Sequence, residues 1–303
     1  MSHYIRTVPG YGPQVWRIER DNAVRLGITN PETGPGSYYR TNIGETIWDC
    51  LKRSTPWFEN GSTPFHETEL APGEFHPRIA RPNDQHPDGS PGANPGVFVD
   101  MNFIAEARSQ LIVLVRQLER ICRTVHPEPA TMAAYGHDIR NLLLLACTEV
   151  ENHWRGILHA NGFVKDRYDT RDYVRLVPAM KLRSYAVAFR SFPQLSAFRP
   201  FERWGSTEAT TRDLPWYDAY NAVKHNREAH FREARLDHAF QSLSACVIMM
   251  AAQFGLPQLM HKSSDLLEMF ELTESPQWPL SAVYIFPYGE PHKDWVSVNY
   301  PFR

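Results

Sequence analysis

From Met101 onward, apolar residues recur every three or four positions, and that period predicts helices. Phe103, Ala107, Leu111, Leu114, Leu118 and Ile121 mark one face of a first helix, which runs to about His126 before Pro127 stops it. A second runs from about Thr131 to His159, with Asn161-Gly162 as its C-terminal stop. A third is read from about Asp172 to Phe192, kinked or split at Pro178. After an aromatic connection (193–213, with Phe198, Phe201 and Trp204), helical spacing resumes from Leu214 to Phe231 and again from Arg232 to Phe254. Asp213 is the expected N-cap of the first of these, with Pro215 just inside it. A last short helix is expected from Ser263 to Leu272.

Before Met101 the pattern is different. PGYGP, NPETGPG and SPGANPG break the chain too often for a long helix. Val15 to Arg20 alternates like a strand, and Gly44 to Arg53 suits a short helix. Residues 60–95 read as a long irregular excursion. His66, His76 and His86 fall within it at a spacing of no metal-site logic, so no metal is assigned. The end, 282–302, is aromatic and β-prone, suited to an edge hairpin with the N-terminal strands. The expectation is an all-α fold: a helical bundle at 100–273, an irregular region at 1–99 with short strands or loops, and a β-prone tail at 274–303 packing on the bundle.

Composition narrows the class. The 303 residues are 42% apolar and 22% charged, as in soluble globular proteins. Apolar runs such as Leu142–Cys147 are too short to span a bilayer, and no signal peptide is read, so a cytoplasmic location without membrane contact is expected. Cys50, Cys122, Cys147 and Cys246 are widely separated, three of them in apolar helical patterns. They read as reduced core residues rather than a disulfide framework or zinc site. A net charge of −2 excludes a globally basic nucleic-acid binder, yet six basic residues between Arg175 and Arg203, Arg183 among them, face Glu202 alone. Such a run either holds phosphates or is an ordinary solvated face. The stretch 265–274 is correspondingly acidic.

The chemistry concentrates in LPWYDAYNAVKHNREAHF, Leu214 to Phe231. As a helix it places Tyr217, Asn221, Lys224, His225 and Glu228 on one face, with Tyr220 and Arg227 beside them. Tyr, Asn and His are poorer helix formers than the Glu, Lys and Gln of a merely solvated face. The cluster therefore serves either catalysis and binding, or hydrogen bonds that fix a neighbouring element. On the second helix, Arg140 and Glu151 share one side in an apolar context, and an ion pair with the Arg-rich third helix is expected. Loops for nucleotide phosphates, a serine-hydrolase elbow and zinc motifs are lacking, which leaves metal-independent chemistry or plain binding, with no cofactor assigned.

Tyr220-Asn221-Ala222-Val223-Lys224-His225, set in a helical core, resembles the HEPN superfamily of helical-bundle proteins. Its signature is an Arg, a following polar residue, and a His a few positions on. Asn221 and His225 match; Tyr220 stands where the family has Arg, with Lys224 and Arg227 as nearby cations. Arg120–His126 and Arg232–His238 share the spacing. The resemblance implies metal-independent RNA cleavage by a homodimer in a defence (antiphage) or toxin-type system, with an antitoxin or other protein partner. In that scheme His225 is acid/base, Asn221 its orienter or a phosphate contact, and Lys224 and Arg227 clamp phosphate. Tyr220, Arg140 and Arg183 are the further RNA contacts. The alternative is a non-catalytic RNA-binding or protein-interaction module whose cluster is structural.

Overall fold

The computed structural model describes residues 2–8, 12–55, 64–85, 94–96, 101–255, 266 and 269–302. In chain order these form β1 (Ser2–Val8), β2 (Gly12–Ile18), β3 (Asn22–Arg25), β4 (Tyr38–Arg40), α1 (Ile47–Ser54), β5 (His66–Glu67) and β6 (Glu74–Phe75). There follow α2 (Met101–Cys122), α3 (His137–Ala160), α4 (Thr170–Tyr173), α5 (Leu176–Met180) and β7 (Ala186–Phe189). The remainder are α6 (Pro215–His225), α7 (Arg227–His230), α8 (Leu236–Phe254), β8 (Phe270–Glu274) and β9 (Val296–Ser297). The fold is mixed, 41% helix and 15% strand, which overturns the all-α expectation. What overturns it is a five-stranded antiparallel sheet before residue 70, assembled from short strands whose flanking Gly and Pro mark turns. His86 lies outside the described residues.

The chain divides into two compact units. The first comprises residues 1–75, 81–95 and 278–298, the second 76–80, 96–277 and 299–303. In the first unit the strand order is β4-β3-β2-β1-β5. Thr46 caps α1 by accepting from the Asp49 N–H at 3.2 Å. Ile47, Cys50 and Leu51 from α1 then pack with Trp16, Ile18, Ala23 and Phe65. Trp16 stacks on Tyr39 at 5.7 Å. The C-terminal segment joins as β9, which pairs in parallel with β6 and makes no hairpin.

The second unit is built on α3, which packs against α8, α2 and α6. α8 is buried almost end to end, as its continuous apolar sequence requires. α2 stops at Cys122, a turn before Pro127, and α3 starts only at His137 because 131–133 turn and Tyr135 bridges to Arg235. Asn161 caps α3, and Gly162 follows at φ 77°, the left-handed conformation glycine tolerates. The 193–213 connection packs inward: Phe201 and Trp204 are buried, and Trp216 Nε1 donates to the Pro200 carbonyl at 3.0 Å. Trp154 sits among Trp204, Tyr173 and Tyr217, at ring distances of 4.6, 5.2 and 5.3 Å. Among the described residues, no helix is long and apolar enough to cross a membrane.

The third helix is not one element. Pro178 lies in the first turn of the short α5, a left-handed Lys181 (φ 51°) ends it, and Ala186–Phe189 is instead a strand, paired antiparallel with Phe270–Glu274. The expected helix to Leu272 therefore gives way to strand at Phe270. This pairing also answers the uneven charge. Arg190 meets Glu271 at 3.3 Å and Arg199 pairs with Glu274, so two of the six basic residues are answered by the acidic stretch. The 186–189 stretch, AVAF, is a short apolar run that periodicity cannot distinguish from buried helix.

Candidate functional site

The candidate site lies on α6 and the turn after it. Pro215 occupies the first turn as expected, but the N-cap is Leu214. Asp213 is engaged elsewhere, accepting from Thr207 N–H at 3.1 Å and Thr207 Oγ at 2.7 Å. The helix ends at His225 rather than Phe231. Asn226 leaves helical geometry and its side chain accepts from Ala229 N–H at 3.2 Å, capping the single turn of α7. Arg227 thus begins a new element and does not continue the face of Asn221 and His225.

Inside the helix, Tyr220 is buried and bonded. Lys224 Nζ donates to its hydroxyl at 2.7 Å, and that hydroxyl lies 3.3 Å from Glu151 Oε2 on α3. Tyr217 donates to the other oxygen of the same carboxylate. Burial and the Glu151 carboxylate drive the Tyr217 phenol far upward, so it remains a proton donor. Burial likewise raises Tyr220, with Lys224 opposing. The bond to Tyr220 holds Lys224 charged by raising its pKa. Glu151 is therefore the acceptor of two phenols, not the partner of an arginine on the third helix. A tyrosine in the signature Arg position sits inside a structural network that locks α6 onto α3.

The exposed groups are different. His225, Arg227 and His230 are exposed, and Asn221, one turn before His225 on the same face, is half-buried. Among the described residues His225 and Arg227 make no side-chain hydrogen bond or ion pair. The turn is fixed from below: Phe231 meets His137 at 4.9 Å and Tyr135 at 5.9 Å, and Leu236 N–H donates to Ala134 O at 2.8 Å. Arg140 is on this side of α3, in register with Thr148 and Glu151, and its Nε is buried without a hydrogen-bond partner among the described residues.

Arg183 is not brought to this group. It is exposed, but Nε and Nη2 donate to the Trp204 carbonyl at 2.9 and 2.6 Å, clamping the aromatic connection. Of the other pairs with signature spacing, His238 is buried, with Nδ1 2.8 Å from the Glu233 carbonyl. Arg120 and His126 are separated by the end of α2. Asn221 and His225 so share one face at the end of α6, Lys224 is turned onto the buried Tyr220, and Arg227 belongs to the next element. The structure places no metal-binding cluster among the described residues. Glu151 as partner of both tyrosines escaped sequence reasoning, although its register with Arg140 marked it as unusual.

No family model, curated protein or solved structure matches the chain.

Proposed function

We propose that the chain acts on RNA, gripping the phosphate backbone along the exposed turn from Lys224 to Arg232 and cleaving it at His225 without a metal. The observation that carries this reading is the exposed His225 imidazole, held by no protein hydrogen bond among the described residues, with Asn221 one turn behind it and Arg227 just beyond. In such a reaction a ribose 2′-oxygen attacks the adjacent phosphorus and the 5′-oxygen leaves. An imidazole takes the first proton or supplies the second, while a guanidinium stabilises the charge on the phosphoryl oxygens. With His225 alone in the signature position, the reading takes a homodimer in which two copies of the turn flank one strand. The defence or toxin-type setting, with an antitoxin or other protein partner, rests on the HEPN resemblance alone.

A second reading has its own support. Tyr220 replaces the signature Arg and is internal, and Lys224 is turned onto it, which fits a recognition module that binds RNA without cutting. One experiment separates the two. Labelled RNA is incubated with the protein in EDTA: cleavage that His225→Ala abolishes supports the nuclease. Intact RNA with salt-sensitive retention supports recognition only. Neither cleavage nor retention removes RNA from the account.

A further inference from the structure

Within the second unit, on the side of α3 turned away from α6, lies a cleft of about 1200 Å³. Its two ends differ in chemistry. At one end Glu106 and Gln110 of α2 face Glu149 and Asn152 of α3, beside Phe103. At the other, Arg155 and His159 of α3 lie with Lys165, Asp166 and Arg167 of the following loop, beside Tyr168, so that cations outnumber the one carboxylate. Arg155, His159 and Arg167 are exposed and form no ion pair among the described residues, whereas Lys165 is bound to Asp172 at 2.6 Å. The 1.5 Å rise of a helix sets Glu149 and Arg155 about 9 Å apart along α3, and Glu149 and His159 about 15 Å.

The acidic end is built with care. Arg78, at φ 57°, lies over the Phe103 ring at 4.2 Å and donates from Nε to Gln253 Oε1 at 2.8 Å. Gln253 in turn spends its amide N–H groups on Met249 O at 2.7 Å and His153 Nδ1 at 3.0 Å. With Nδ1 accepting, the proton of the buried His153 sits on Nε2 and faces Glu149 Oε1 at 3.4 Å. Gly156 makes room for the Arg78 guanidinium against α3; any Cβ there would collide with it. Burial raises the Glu149 carboxyl above its ordinary pKa, with Arg78 opposing. A non-glycine residue in left-handed geometry, a buried imidazole and a perturbed carboxyl, all converging on this cleft, are marks of a ligand site rather than of packing.

We propose that this cleft binds a nucleoside phosphate, its phosphate held by Arg155, Arg167 and His159 and the donor-bearing edge of its base read by Glu106 and Glu149. Two guanidinium groups and an imidazole at one end, none in an ion pair among the described residues, call for an anion. Carboxylates and amides at the other call for N–H donors, which an amino-bearing purine presents on a flat face suited to the aromatic flanks. The spacing along α3 matches the span from a purine edge to its phosphate. This inference stands apart from the RNA reading, because none of its residues belongs to the α6 turn.

The test is calorimetric titration of the full chain with GMP, AMP, ribose 5-phosphate and inorganic phosphate. The purine nucleotides are expected to bind at least tenfold more tightly than the other two. Arg155→Ala, at an exposed position, should weaken nucleotide binding about tenfold with the circular dichroism spectrum unchanged. Glu149→Gln should weaken GMP and AMP while leaving ribose 5-phosphate as it was. Equal affinity for inorganic phosphate and nucleotide, no heat from any nucleotide at millimolar concentration, or indifference to Arg155→Ala each overturns the proposal. RNA cleavage lost in His225→Ala with no nucleotide binding by the parent chain would leave the RNA reading standing and this one refuted.

Discussion

Lys224 Nζ lies 2.7 Å from the Tyr220 hydroxyl, so the cation nearest the candidate histidine points back into the molecule. Through that phenol and Tyr217 the network ends on Glu151 of α3. A carboxylate accepting two buried phenols is costly to delete, since Tyr217 is left without its acceptor and Tyr220 keeps only Lys224 and Thr148. Glu151→Ala should therefore lower unfolding stability by roughly 2–4 kcal/mol. Tyr220→Phe, which keeps the ring packing, should cost only about 1 kcal/mol. Urea denaturation of the two variants checks the order; equal losses would mean that ring packing, not the hydroxyl network, holds α6.

His225→Ala should leave stability within about 0.5 kcal/mol of the parent, because the imidazole is exposed and unbonded among the described residues. Thermal unfolding is the check. A large drop would show that the imidazole has a structural role and would make any loss of RNA cleavage uninterpretable as chemistry.

Arg227 offers a test that does not need cleavage. If its guanidinium neutralises an RNA phosphate, Arg227→Ala should make the slope of log affinity against log salt shallower by about 0.7 for a single strand. Filter binding across a salt series measures it. An unchanged slope with unchanged affinity would remove Arg227 from the contact surface.

Burial, with the Arg78 charge adding to it, pushes His153 down to about 3. The unfolded chain takes up this proton near the ordinary histidine pKa of about 6.5, and the folded chain does not. Stability from this residue is thus complete above about pH 6.5 and declines, by up to about 1.4 kcal/mol per pH unit, as the pH falls toward 3. Glu149 works in the opposite sense. Its carboxyl, raised by burial, favours the fold as it protonates. Between pH 6.5 and 5 the His153 effect should dominate, and His153→Gln should flatten the curve. Denaturation midpoints across that interval provide the measurement.

Gly156→Ala sets two effects against each other. Alanine favours a helix interior by about 1 kcal/mol over glycine. The added methyl, however, enters the space of the Arg78 guanidinium, whose Cζ would be 2.9 Å away. Overpacking of that kind costs about 1–3 kcal/mol, so the variant should be no more stable than the parent and should release Arg78 from Gln253. A clear gain in melting temperature would show that Arg78 moves aside freely.

How far the sequence foretold this molecule varies by element. α2, α3 and α8 were legible because their apolar positions keep a helical period over five turns or more, and Gly162 marked the end of α3 where it falls. The first-unit sheet was only partly so: Val15–Ile18 alternates, but the pairing of β1 with both β2 and β5 depends on a residue as distant as Glu67. Ala186–Phe189 misled because four apolar residues after a helical stretch carry no period of their own. At the site, the Tyr220–Lys224 contact follows from four-residue spacing. The Glu151 partnership does not, since it joins helices far apart in the chain. Asn226 was the overlooked signal: an asparagine that can cap its own turn ends one helix and starts another. His153 and Arg78 had no legible mark, one a lone histidine on an apolar face and the other inside a proline-rich excursion.

The ladder between Ala186–Phe189 and Phe270–Glu274 also orders events during synthesis. When the first of these strands leaves the ribosome, its partner has not been translated, and Phe189 has no Phe270 to meet. The helices between them can settle early from local contacts, whereas this sheet closes only once Phe270–Glu274 has been made. A nascent chain stalled before residue 270 should therefore expose the AVAF edge, making that stretch a natural target for a holding chaperone.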